Sequence, residues 1–171
     1  MHRPLPDECA PFYHGYLAKV PDGDLPTILR QTGEDFVAAL ARVDAARGEF
    51  AYAPGKWSIK RVVQHVTDGE RLFTYRALCI ARGDTQPLPG FDEDAYALLD
   101  GSEQRPLAAI AAEFAAVRAA TLALFVGLPE PAWTRRGIAN GNPVSVRALA
   151  WMTAGHALHH AGVLRERYLV R

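Results

Sequence analysis

Three of the six histidines fall within five positions, in the run Gly155-His156-Ala157-Leu158-His159-His160. Neutral imidazole is a good ligand for divalent metals, and helix residues three or four apart lie on one side. Positions i and i+4 differ by about 40° around the axis and about 6 Å along it. His156 and His160 can therefore converge on one ion. Their stripe includes Leu149, Thr153, Val163 and Arg167, the side that a bundle would bury. His159 shares the adjacent stripe with Met152, Gly155 and Glu166, and is expected at the rim or hydrogen-bonded behind the ligands. The third ligand must come from another element, and His65 is the candidate. Asp68, three residues further on, is a candidate base or a partner that orients a ligand. Glu70 is expected on a solvated face or in a salt bridge to Arg71 or Arg76. The competing reading is a polar helix end whose histidines are satisfied by ordinary hydrogen bonds.

Three neutral imidazoles with one open position form the catalytic kind of metal site, not the closed structural kind. Zinc and nickel both suit imidazole, and spacing does not choose between them. The open position can take water or a thiol, and the ion lowers the pKa of either toward neutrality. An H-x-x-x-H pair without the zincin glutamate is a weak signal alone. An inward-facing third histidine on another helix strengthens it.

Four helices must position these groups. The first follows Asp24, with Pro26 in its first turn and a stripe of Ile28, Leu29, Phe36, Val37, Leu40 and Val43; Gly33 marks a bend and Gly48 a stop. The second starts at the N-cap Ser58, after a Pro54-Gly55 turn, and runs through Ile59, Val62, Val66, Phe73 and Ile80 to Gly83. The third begins near Pro106, is dense in alanine, and ends at Gly127 and Pro129. The fourth spans Ser145 to Tyr168. With helices two and four parallel, as in an up-and-down bundle, His65 and His156 lie at depths about 6 Å apart. Gly69, one turn beyond His65, makes room either for a cavity or for close helix packing. Residues 84–105 form a long connection, with a short helix from Asp92 to Leu99, of the length that often walls a pocket. Residues 136–143 form a turn-rich linker, and no strand with convincing alternation is evident. The fold class is all-α, a four-helix bundle spanning residues 25–171, with residues 1–24 as an extended arm packed on it. Phe12, Tyr13 and Tyr16 are expected to pack on the outside of the core. Trp57 and Trp151 are expected in the core, and Arg76, Arg118 and Arg147 in surface or interhelix ion pairs rather than on a substrate carboxylate.

The 171 residues suit one domain, and apolar residues (49%) and charged ones (22%) are in ordinary globular proportion. Nineteen lysines and arginines balance nineteen acids without a basic stripe, which argues against nucleic-acid binding. No signal-peptide core is visible, and no apolar run approaches the ~18 residues of a membrane span. Cys9 and Cys79 suit a reducing compartment. A cytoplasmic protein, bound to neither nucleic acid nor membrane, is expected.

The stretch GKWSIKRVVQHVTDGERLFTYRA, the segment LPGFDEDAY and the run ANGNPVSVRALAWMTAGHALHHAGVLRERYL resemble the DinB superfamily of DinB/YfiT-like metal-dependent enzymes. The resemblance extends from about Asp24 to Leu169, with Trp57, the His65-x-x-Asp68 turn and the paired histidines in the family's order. It implies a four-helix bundle of variant up-and-down topology and a divalent metal, zinc or nickel, on His65, His156 and His160. It also implies a homodimer. Relatives include transferases and isomerases that use small thiols such as bacillithiol or mycothiol. The expected function is thus a metalloenzyme that activates a low-molecular-weight thiol against an electrophilic substrate. One alternative is a hydrolase using metal-bound water, with Asp68 or Glu70 as base. The other is a stress-related metal-binding or scaffold protein without turnover.

Overall fold

Residues 2–169 are described in a computed structural model. The arm is not extended: it coils through 3₁₀ turns at Pro6–Glu8 and Pro11–Tyr13 into a one-turn helix α1 (His14–Leu17). Helix α2 (Leu25–Leu40) is capped by Asp24, whose carboxylate accepts from the Thr27 N–H. It stops eight residues short of Gly48, so Val43 lies beyond it. Ser58 caps α3 (Ile59–Ala81) in the same way, and Gly83 follows the end with φ of 87°. Asp92 caps the short α4 (Glu93–Leu99). Helices α5 (Leu107–Val126) and α6 (Val146–Val163) complete the set, and α6 runs on into a π-helical turn, Leu164–Tyr168.

The bundle is built from α2, α3, α5 and α6. Around it, α3 packs on α5 and α6, and α2 packs on the same two, so the consecutive pairs α2/α3 and α5/α6 lie on diagonals. Residue pairings set the directions. Trp57 at the start of α3 meets Tyr168 beyond the end of α6, whereas Ala81 at the other end of α3 accepts from Arg135, ahead of α6. Helices α3 and α6 are therefore antiparallel, not parallel as the sequence argument assumed. This orientation serves the site better: His65, early in α3, comes level with His156 and His160, late in α6. Helices α3 and α5 run parallel, as the Gln64–Glu113 and Glu70–Arg118 pairs require. Joining adjacent parallel helices needs a crossover along the bundle, which is why residues 82–106 form so long a connection.

The linker before α6 is a hairpin: β1 (Arg136–Ala139) pairs antiparallel with β2 (Asn142–Ser145). Its turn residues Asn140 and Gly141 have φ of 51° and 72°, the left-handed pair that an Asn-Gly turn favours. Strands of four residues carry too little alternation to read by period, so the turn dipeptide was the usable signal.

The apolar core falls into two clusters. One, around Leu25, Leu29, Phe73, Ile80, Phe125 and Leu149, lies at the hairpin end. The other, around Phe36, Ile59, Val63, Ile110, Phe114 and Leu164, lies at the opposite end. Between them sits a polar waist of His65, Glu70, Arg118, His156 and His160. Helix α5 is, by length and composition, apolar enough to cross a membrane. Its apolar run is nonetheless broken by Glu113 and Arg118, as the sequence expectation has it. Both are ion-paired within the bundle, and α5 packs on α2 and α3.

Candidate metal centre

Helix α3 supplies His65 and α6 supplies His156 and His160, and one ring nitrogen from each lies within 4.8 Å of the others. The Nε2 atoms of His65 and His156 are 3.0 Å apart. That separation suits one hydrogen bond, and equally two ligands each about 2.1 Å from a common ion. The rings meet edge-on, with centroids 4.6 Å apart for His156 and His160 and 4.9 Å for His65 and each of the others. His65 and His156 are buried and His160 is half-buried. His160 Nδ1 is buried without a hydrogen-bond partner. The trio is thus short of partners among the described residues. A divalent ion accepting a lone pair from each ring would supply them, so the residues fit such an ion.

Burial keeps the three rings neutral, the form that ligates metal. It pushes His65 down to about 4, against the opposing charge of Asp94, and His160 down to about 3, helped by His65 and His159. His156 is driven well below its ordinary value by burial and its three histidine neighbours. Gly69 makes room for His156: a Cβ there would lie 2.9 Å from Cε1 and 3.3 Å from Nδ1 of that ring. Close packing is therefore the role of Gly69, and what it packs against is a site residue.

His159 is half-buried beside the trio, 4.9 Å from the His160 ring and 5.3 Å from Tyr16. Asp68 makes no hydrogen bond to a histidine among the described residues. It accepts from Gln64 and Arg71, and burial raises its pKa against those two partners. Glu70 is neither on a solvated face nor paired with Arg71 or Arg76. It is 1% exposed and holds Arg118 of α5 through two bonds of 2.7 Å. The sequence reading looked along α3 for its partner, whereas Glu70 faces the neighbouring helix. Arg118 and Arg147 are in buried or half-buried ion pairs as expected, with Glu70 and Glu8. Against its own burial, bonds from Arg147 and Ser145 hold Glu8 at about 2. Arg76 instead donates to the Pro89 carbonyl.

Two aromatic side chains flank the trio: Trp57, expected in the core in preference to lining a pocket, and Tyr16, expected only to pack on the outside of the core. The half-buried Trp57 ring lies 4.9 Å from His65, and the Tyr16 ring 5.4 Å from His156. The signal for Tyr16 was Gly155, whose missing side chain admits the arm, but a glycine in a helix does not name what it admits.

The sequence profile of the DinB superfamily matches residues 28–164. No curated protein matches the chain by sequence. Among solved structures, the chain resembles YfiT from Bacillus subtilis, described as a probable metal-dependent hydrolase with an unusual four-helix bundle topology. The TM-score is 0.72 at 18% identity, over 83% of this chain and 82% of YfiT. It also resembles a mycothiol-dependent maleylpyruvate isomerase, with a TM-score of 0.70 at 17% identity over 85% of this chain. The chain spans only 61% of that isomerase. At these identities the likeness is one of fold.

Proposed function

The chain belongs to the DinB superfamily, and from that premise we propose that it is a metal-dependent enzyme activating a low-molecular-weight thiol against an electrophile. The observation that carries the reading is the all-imidazole trio with an orphaned ring nitrogen. Three neutral ligands leave the full charge of a divalent ion, zinc or nickel, to stabilise a thiolate near neutral pH. His65, His156 and His160 would hold the ion. Helices α3 and α6 fix the rings, and burial keeps protons off them. The mycothiol dependence of a fold neighbour lends the thiol class some support.

Hydrolysis is the second reading, favoured by the description of YfiT. It asks for a base near the attacking water. Asp68 has the raised pKa for that role, but its hydrogen bonds go to Gln64 and Arg71, and Glu70 is committed to Arg118. The thiol reading needs no such base and is preferred. Zinc- or nickel-loaded protein is expected to consume an epoxide or alkyl halide only when a thiol is added. Ester or amide cleavage without thiol would replace this reading with the hydrolase. Metal binding with no turnover on either panel would replace it with a metal-binding or scaffold protein.

We assign two further properties. Cys9 and Cys79 are free thiols, which suits the cytoplasm. Ala108, Ala112, Ala115, Ala119 and Val126 form an exposed apolar stripe at steps of three, four and seven along α5, and a second copy of the chain is the partner that we assign to it. Light scattering is expected to give twice the mass of one chain.

A further inference from the structure

The family match begins at residue 28, so the N-terminal arm lies outside it. The arm nevertheless reaches the histidine trio. A Cβ on Gly155 would overlap the carbonyl oxygen and carbon of Tyr16, so α1 sits directly on the α6 backbone one residue before His156. Arg3 holds this seat from behind, donating to the Leu17 carbonyl at 2.8 Å. Glu8 anchors the arm to Ser145 at 2.6 Å, and to Arg147. The Tyr16 ring is thereby fixed edge-on to His156, at 71°, and beside His159. Of the side chains around the trio, Phe73 is buried, while Tyr16, Trp57 and His159 are half-buried and keep part of their surface open to solvent.

We propose that the arm is a working part of the site: Tyr16 is a ligand-contacting residue whose phenol donates a hydrogen bond to a thiolate or small anion at the three-histidine centre. The inference rests on the metal reading above. A ring that merely covered the core would need no hydroxyl, whereas a phenol is a neutral donor at neutral pH and a natural partner for an anion. The N–H left on each metal-bound imidazole lies on the side of its ring away from the ion, so a donor to an anion at the centre has to come from another side chain.

The test uses the full chain loaded with Co(II), whose d–d absorption reports the ligands of the ion, titrated with azide and, separately, with cysteine as a thiol. Tyr16→Phe is expected to take up about one Co(II) per chain, like the unsubstituted protein. It should bind either probe ~10-fold more weakly, the loss of one hydrogen bond to a charged group. Tyr16→Ala should lose at least as much. Tyr13→Phe, on an arm ring that touches Phe73 rather than a histidine, should bind both probes as the unsubstituted protein does. Probe binding by Tyr16→Phe within about two-fold of the unsubstituted protein would overturn this inference alone, as would an equal loss in Tyr13→Phe. Failure of the unsubstituted protein to take up Co(II) would overturn the metal reading, and this inference with it.

Discussion

The polar waist holds two buried groups with opposite accounts of their hydrogen bonds. On one side, Glu70 and Arg118 satisfy each other through two bonds of 2.7 Å, and Arg118 also donates to the Leu29 carbonyl and to Thr32. On the other side, three imidazoles share one contact of 3.0 Å, and His160 Nδ1 has no partner among the described residues. Each group has a glycine that makes room for it. A Cβ on Gly33 would lie 2.8 Å from Arg118 Cγ, as one on Gly69 would lie 2.9 Å from His156 Cε1. Gly33 thus makes a passage for the arginine stem within the continuous helix α2. The ion pair closes on itself and ties α2, α3 and α5 together. The trio joins α3 to α6 and has capacity left for something from outside. Completeness of hydrogen bonding separates the ion pair from the candidate metal centre, although both are polar and largely buried.

The comparison is most strongly tested by breaking the ion pair. Glu70→Ala should cost about 3–5 kcal/mol in urea unfolding, because it strands a buried guanidinium, while Glu70→Leu with Arg118→Met should recover most of that loss. Metal should be felt on the other side only. An ion at ~1,000 times its dissociation constant should add about 4 kcal/mol to stability, read as a rise in thermal midpoint. His160→Ala should abolish that gain and the bound ion. A stoichiometric ion surviving in this variant would end the assignment.

Acid should also single out the trio. The folded pKa values of His65 and His160 lie below the unfolded value of about 6.5, so below that pH the unfolded chain binds protons that the folded chain does not. Metal-free protein should therefore lose about 1.4 kcal/mol per pH unit for each such histidine as pH falls from ~6.5. His65 should stop contributing below about 4 and His160 below about 3. Chemical unfolding at several pH values should show this slope, and His65→Ala should flatten it.

Smaller effects come from the glycines. Gly69→Ala should weaken metal binding by ~10-fold through the His156 ring, read by competition with a chromophoric chelator. Gly33→Ala should leave metal binding unchanged and cost about 1–2 kcal/mol, since the Arg118 stem must shift. The smallest is Asp68→Asn. The pair of Asp68 with Arg71 is partly exposed and worth under ~1 kcal/mol, so stability should hardly change. A large loss of turnover there would restore Asp68 as a base.

Much of this was legible along the chain. Ser58 and Asp24 announce helix starts through local capping, and the phase of His156 and His160 follows from the helical repeat. Other features were not local. Glu70 was matched to arginines on its own helix because only those have a fixed distance in sequence; its partner Arg118 is 48 residues away. Tyr16 reads as surface packing until Gly155 is known to receive it. The direction of α3 against α6 was assumed from an up-and-down pattern, which a crossover of 82–106 does not follow.

The sequence by itself determined the four bundle helices, the histidine pair and the candidate third ligand, because periodicity, caps and spacing act within a few turns of one helix. Only the tertiary structure decided which helices are neighbours, how α3 runs against α6, and which buried polar groups are left wanting a partner. Those depend on contacts between segments far apart in the chain, and no local pattern encodes the direction from which a partner arrives.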